Sequence, residues 1–162
     1  MTILYLPSME PKQNQLQVLL AKYKESHQHP TNQKIHWVCV PLIFYSLVGL
    51  LHAIPIGSIS VAWVAMGLVW LYYVRLSVKL SLGFLIVAVL CLALAHGLQQ
   101  WGNKTLIFSS LTIFALAWVG QFYGHKVEGK KPSFLTDVQF LLIGPAWILQ
   151  YIYQAVGIKL YT

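Results

Sequence analysis

Residues 35–53 read IHWVCVPLIFYSLVGLLHA, nineteen positions without an Asp, Glu, Lys or Arg. As a helix this run is about 28 Å long, close to the roughly 30 Å hydrocarbon thickness of a bilayer. Three further runs of the same character follow at about 59–74, 80–98 and 106–123, and none carries a formal charge. Pro55 with Gly57, Arg75 with Lys79, and the polar stretch Gln99 to Lys104 separate them. Pro41 lies inside the first run and predicts a kink, which membrane helices tolerate when neighbours satisfy the freed carbonyl. The expected fold class is all-α, an integral membrane bundle of about four transmembrane helices.

Composition agrees. The 162 residues are 57% hydrophobic and only 9% charged, against about 25% charged in a soluble domain. Four spans use roughly half the chain and leave short loops, so residues 1–162 read as a single multi-pass membrane domain. Disorder, a nucleic-acid partner and a secreted disulfide scaffold all fit poorly. The net charge of +7 marks loops facing the cytosol or anionic lipid rather than nucleic acid. Cys39 and Cys91 both lie in apolar runs, which gives no disulfide framework. Met1 to Met9 is too short for a signal-peptide apolar core and lacks a basic start.

Two amphipathic or interrupted segments flank the spans. Within residues 11–29, Leu16, Leu19, Leu20 and Tyr23 fall on one helical face. Pro30 and Asn32 end that helix, and Thr31 or Asn32 is placed to cap the next. Residues 134–160 are apolar but interrupted by Gly144-Pro145. They form either a fifth span or two shorter interfacial helices, and the breaking pair favours a broken, re-entrant arrangement. With four spans, Lys12, Lys22, Lys24, Lys34, Arg75, Lys79, Lys126, Lys130, Lys131 and Lys159 share one side and Lys104 stands alone on the other. That asymmetry puts the N-terminus in the cytosol, with the chain in a bacterial inner membrane or the endoplasmic reticulum.

The same topology sorts the histidines. His27, His29, His36 and His125 lie at the cytosolic side, while His52 and His96 lie at the far ends of the first and third spans. His27, His36 and His125 can therefore converge at one membrane face, and imidazole suits iron, zinc and copper. Glu128 follows His125 at i+3 and offers a carboxylate on the same helical face. Plainer readings compete: histidines at membrane ends also cap helices or meet headgroups, and Glu128 with Lys130 and Lys131 also reads as a solvated loop. Other classes stay open on these residues, namely a b-type haem protein with a histidine pair, a zinc-dependent lipid hydrolase, and a non-catalytic structural or assembly protein. A transporter fits least, because the span interiors hold no acid or base.

The run YKESHQHPTNQKIHWVCVP, residues 23–41, resembles the opening signature of the fungal and bacterial 2-hydroxy fatty acid dioxygenase family. QFYGHKVEGKKP at 121–132, with Ile143-Gly144-Pro145 beyond it, resembles that family's second signature. The likeness covers nearly all of the chain from about Tyr23 onward. Departures are His29, where the family usually has Asn, and Ser133-Phe134 in place of the commoner Ala-Leu. An acidic residue often seen late in the last helix is missing near Gln150-Tyr151.

The resemblance implies an Fe(II)-dependent dioxygenase of fatty acid α-oxidation. A long-chain 2-hydroxy fatty acid and O2 would give the acid one carbon shorter and CO2, without 2-oxoglutarate. It implies His27, His36 and His125 as catalytic metal ligands, with Glu128 as a weaker one. Lys126, Lys130 and Lys131 would attract the substrate carboxylate. Asn32 and Gln121 would hydrogen-bond the imidazoles and fix their tautomers.

Overall fold

A computed structural model describes residues 15–129 and 134–160, with side chains described from Phe140 onward in the second stretch. Among these residues there are six helices. They are α1 (Gln15–Glu25), α2 (Pro30–His52), α3 (Val61–Leu76), α4 (Val78–Gln99), α5 (Asn103–Glu128) and α6 (Phe134–Ala155). A two-residue hairpin, β1 (Pro55–Ile56) with β2 (Ile59–Ser60), joins α2 to α3. Gly57 takes its turn at φ +57°, a backbone conformation that costs glycine little.

The helical class and the four central helices are as the hydropathy predicts. α2, α4 and α5 are each long and apolar enough to cross a membrane, while α3 is shorter, with 16 residues or about 24 Å. Apolar side chains also crowd the outer surface: Leu68, Leu82, Ile86, Leu94, Leu116 and Val119 are all exposed. A surface of this kind suits lipid tails and would be a liability in water.

α2 is the central helix, and its most extensive partner is α5. Glycines let the two helices approach closely at points along their seam. A Cβ added at Gly120 would lie 2.6 Å from Cys39 Sγ, and one added at Gly124 would collide with Asn32 Oδ1. Gly120 and Gly124 form a small-xxx-small pair of the type that lets membrane helices approach closely. This approach brings the last turn of α5, with His125, against the first turns of α2, with His36.

Two local expectations change. α2 starts earlier than expected: His29 is its N-cap, with Nδ1 accepting from the Thr31 N–H, and Pro30 occupies the first turn. Proline suits that position because its φ is already helical. Thr31 and Asn32 thus lie inside the helix rather than capping it. The second change is in α6, which runs unbroken through Gly144-Pro145. Pro145 removes one backbone N–H, but packing holds the helix together: residues 143–149 are all buried, and Tyr73 Oη donates to the Leu142 carbonyl at 2.5 Å. Both stretches of α6 touch the same end of the bundle. Phe140 meets Tyr23 edge-on at 5.1 Å, and Tyr153 Oη donates to the Lys79 carbonyl at 2.7 Å. α6 therefore packs against α1, α2 and α4 as one helix, not as the broken pair that Gly144-Pro145 predicts. The stripe expected on α1 is also present, with Leu16, Leu20 and Tyr23 buried and Leu19 partly so.

Candidate metal centre

Three segments meet beneath α6. His27 lies in the short link between α1 and α2, His36 two turns into α2, and His125 in the last turn of α5. All three are buried, and their ligand nitrogens lie within 4.8 Å of one another.

The backbone sets the direction of two of these rings. His27 Nδ1 lies 2.7 Å from the Tyr23 carbonyl and His36 Nδ1 lies 2.9 Å from the Asn32 carbonyl, each four residues earlier. A carbonyl only accepts, so each Nδ1 carries the proton and donates it. In the neutral rings both Nε2 atoms then present bare lone pairs, yet they sit 2.9 Å apart. Two acceptors at hydrogen-bond distance need a cation or a shared proton between them. Two ligands at right angles on a metal with bonds of about 2.1 Å would stand about 3 Å apart. The donor set therefore fits a metal ion. His125 supplies the third ring, with its centroid 5.6 Å from that of His27 and 5.2 Å from that of His36.

The link bearing His27 is tied down at several points. Its N–H donates to the Lys24 carbonyl at 3.1 Å, and its carbonyl accepts from Gln33 Nε2 at 2.9 Å. The imidazole also stacks on the Tyr23 ring at 4.0 Å, nearly parallel. Glu128 does the rest. Its Oε1 accepts from the Gln28 N–H at 2.8 Å, and its Oε2 accepts from the His29 N–H at 2.9 Å and Asn32 Nδ2 at 3.0 Å. Charge-assisted bonds of this kind are roughly twice as strong as neutral ones, and the carboxylate also meets the positive end of the α2 dipole. One side chain at the end of α5 thus ties together the three segments that carry the histidines.

The remaining candidates from the sequence fall out as follows. Glu128 is adjacent to the cluster but outside the converging group, with both oxygens bonded to N–H donors. Asn32 is fully buried and does hold His36, through its backbone carbonyl rather than its amide. Gln121 is buried one turn before His125 and lines the same cavity, and its Oε1 has no hydrogen-bond partner among the described residues. Lys126 is exposed and does not line the cavity. Lys130 and Lys131 lie outside the described residues. Sequence reasoning placed Tyr23 in an apolar stripe and at the start of the first signature, and missed its part in seating His27. The signal was its spacing, since Tyr23–His27 and Asn32–His36 share the same i−4 separation.

The three imidazoles open onto a cavity of about 50 Å³, walled by Tyr23, Val40, Ile43, Trp118, Phe140 and Leu141. That is room for a few water-sized groups beside walls that are apolar apart from Gln121. Open positions on a metal in such a pocket would be available to small ligands.

Comparison with known proteins identifies the family. Residues 13–156, which include all three histidines, match the family described as 2-hydroxy-palmitic acid dioxygenase Mpo1-like. The chain is also 32% identical over 133 residues to the 2-hydroxy-palmitic acid dioxygenase MPO1 of Saccharomyces cerevisiae, an alignment covering 80% of this chain and 75% of the yeast protein. No solved structure matches the chain. A match of this extent shows that the chain belongs to the 2-hydroxy-palmitic acid dioxygenase Mpo1-like family.

Proposed function

We propose that this protein is an Fe(II)-dependent dioxygenase that shortens long-chain 2-hydroxy fatty acids by one carbon. The observation that carries the proposal is the pair of carbonyl-fixed imidazoles, His27 and His36, whose Nε2 atoms come together within 4.8 Å of a ligand nitrogen of His125. The yeast relative's name supplies the substrate class. Fe(II) held by the three histidines would supply O2 activation and a two-point grip on the substrate's carboxylate and 2-hydroxyl. The reaction balances without a co-substrate: R–CH(OH)–COOH + O2 gives R–COOH + CO2 + H2O. Carbon 2 rises from alcohol to carboxyl and carbon 1 leaves as CO2, so the substrate itself delivers the four electrons that O2 takes up.

The chain's residues divide the remaining work. Tyr23, Trp118 and Phe140 exclude water and leave the cavity to small reactants. Gln121 offers its unpartnered carbonyl oxygen to the substrate hydroxyl. Glu128 and Asn32 act as positioning residues for the ligand-bearing segments, and Glu128 is not itself a ligand. Lys126, with Lys130 and Lys131 after it, forms a basic approach for the carboxylate. The lysine asymmetry sets the histidine end toward the cytosol in a bacterial inner membrane or the endoplasmic reticulum.

The geometry favours this reading over a haem protein. Two axial haem ligands stand about 4 Å apart with the macrocycle between them, whereas the His27 and His36 nitrogens are 2.9 Å apart. The test is to incubate detergent-purified protein with Fe(II), air and 2-hydroxypalmitate, and to seek the fifteen-carbon acid by mass spectrometry. Palmitate and anaerobic samples should yield none. Folded, iron-loaded protein that shortens no 2-hydroxy acid of any length would defeat the proposal.

A further inference from the structure

Beside the histidine cavity lies a second void, and Val40 lines both. His36, Val40 and Phe44 succeed one another at four-residue intervals on α2, which places them on one face and about 6 Å apart along the axis. His36 belongs to the first cavity and Phe44 to the second. α6 repeats the order, with Phe140 and Leu141 at the histidines and Pro145, Ile148 and Ile152 at the second void. Val87 and Cys91 of α4 close the far wall.

This void measures about 110 Å³, and no charged or hydroxyl side chain lines it. Apolar cavities of similar size stay dry and take up hydrocarbon guests. It is open on one flank, where its lining residues Pro41 and Ile152 are exposed beside the exposed Leu42. The partition from the histidines is thin. Val40 faces Gly144, where an added Cβ would lie 2.8 Å from Val40 Cγ1.

We infer that this void binds the alkyl chain of the 2-hydroxy acid, which enters sideways from the bilayer between α2 and α6 and passes Val40 to bring its polar head to the histidines. The inference rests on the activity proposed above. Continuity selects the occupant: a ligand with its head at the histidines and its tail along the His36–Val40–Phe44 face fills both cavities at once. Because the flank is open, tails longer than the void extend into lipid. Moving a methylene from lipid into the void exchanges one apolar medium for another, so kcat/KM should change by less than about fourfold per methylene.

The experiment uses full-length protein in nanodiscs and 2-hydroxypalmitate carrying a mid-chain diazirine. After irradiation, cross-links should map to Val87 and Cys91 on α4 and to Ile148 and Ile152 on α6, and excess 2-hydroxypalmitate should suppress them. Cys91→Trp, which fills the void, should cut this labelling about tenfold and raise KM for 2-hydroxypalmitate. Leu94→Trp, on the exposed face of the same helix, should leave labelling unchanged. If Cys91→Trp does not fold, Ile152→Trp at the rim serves in its place. Labelling as strong at Leu82 and Leu94 as at Cys91 would overturn the inference, and so would equal competition by a phospholipid of the same chain length. Site-specific, competed labelling without turnover would sink the activity proposal and leave this pocket standing, whereas turnover with labels elsewhere would do the reverse.

Discussion

At one end of the bundle His27, His36 and His125 converge within 4.8 Å, whereas at the other His52 and His96 face each other with ring centroids 6.0 Å apart and planes perpendicular. Both groups join α2 to another long helix. They differ in what holds the rings. At the first end, backbone carbonyls take the Nδ1 protons of His27 and His36 and leave Nε2 bare. At the second, His52 Nδ1 meets the Ser60 hydroxyl at 2.9 Å, a partner that donates or accepts equally well and so selects no tautomer. His96 Nε2 faces the Gln100 amide nitrogen at 3.2 Å, which uses the atom a metal would need. Among the described residues there is no third ring and no clamping carboxylate at that end. Proximity of imidazoles is thus insufficient, and the one-way acceptors behind them set the proposed cation end apart from the other.

The largest effect should come from removing a ligand at the first end. His125→Ala should abolish bound metal and turnover, a loss beyond the 10–100-fold that supporting residues typically cost. His52→Ala and His96→Ala should keep both. Metal analysis after gel filtration decides the matter, and the reverse pattern would break the comparison between the ends.

Glu128→Gln comes next. The amide keeps one acceptor but turns an NH2 toward the donors that Oε2 now serves, at a cost of about 1–3 kcal/mol. Metal affinity should fall about 10–100-fold while the metal-loaded variant keeps turnover above that of His125→Ala. A Glu128→Gln protein that binds metal as wild type does would show that the clamp is not needed to position the rings.

Gly124→Ala should be milder on metal but measurable in stability, at about 1–3 kcal/mol, because the new methyl displaces Asn32 and through it His36. The paired control is Gly97→Ala in α4, where an added Cβ meets nothing within 4 Å. That change should be neutral or stabilising by up to about 1 kcal/mol. Thermal melts of the two variants sharpen the contrast between the α2–α5 seam and an outer helix face.

Much of this architecture is legible along the chain. Charge-free runs of bilayer length fix the helices, and the lysine distribution orders their ends, because burial in lipid depends on sums over neighbouring residues. The three histidines could be assigned to one membrane face for the same reason. Their roles were less accessible. Glu128 reads as a possible ligand from its i+3 spacing to His125, yet its carboxylate is spent on the Gln28 and His29 N–H groups and the Asn32 amide, which lie about a hundred positions away. Asn32 reads as a side-chain support for an imidazole but acts on His36 through its carbonyl. Gly144-Pro145 reads as a break, and burial on every side keeps α6 whole.

Sequence alone therefore determined what depends on local composition: helix class, bilayer-length runs and the polarity of the ends. Tertiary structure decided what depends on direction. Which nitrogen of an imidazole carries the proton, and where the other points, follows from a partner 2.7–2.9 Å away. Which carboxylate clamps and which void adjoins the histidines follow from how closely helices approach across glycines. Such contacts join residues remote in the chain, and hydropathy carries no information about them.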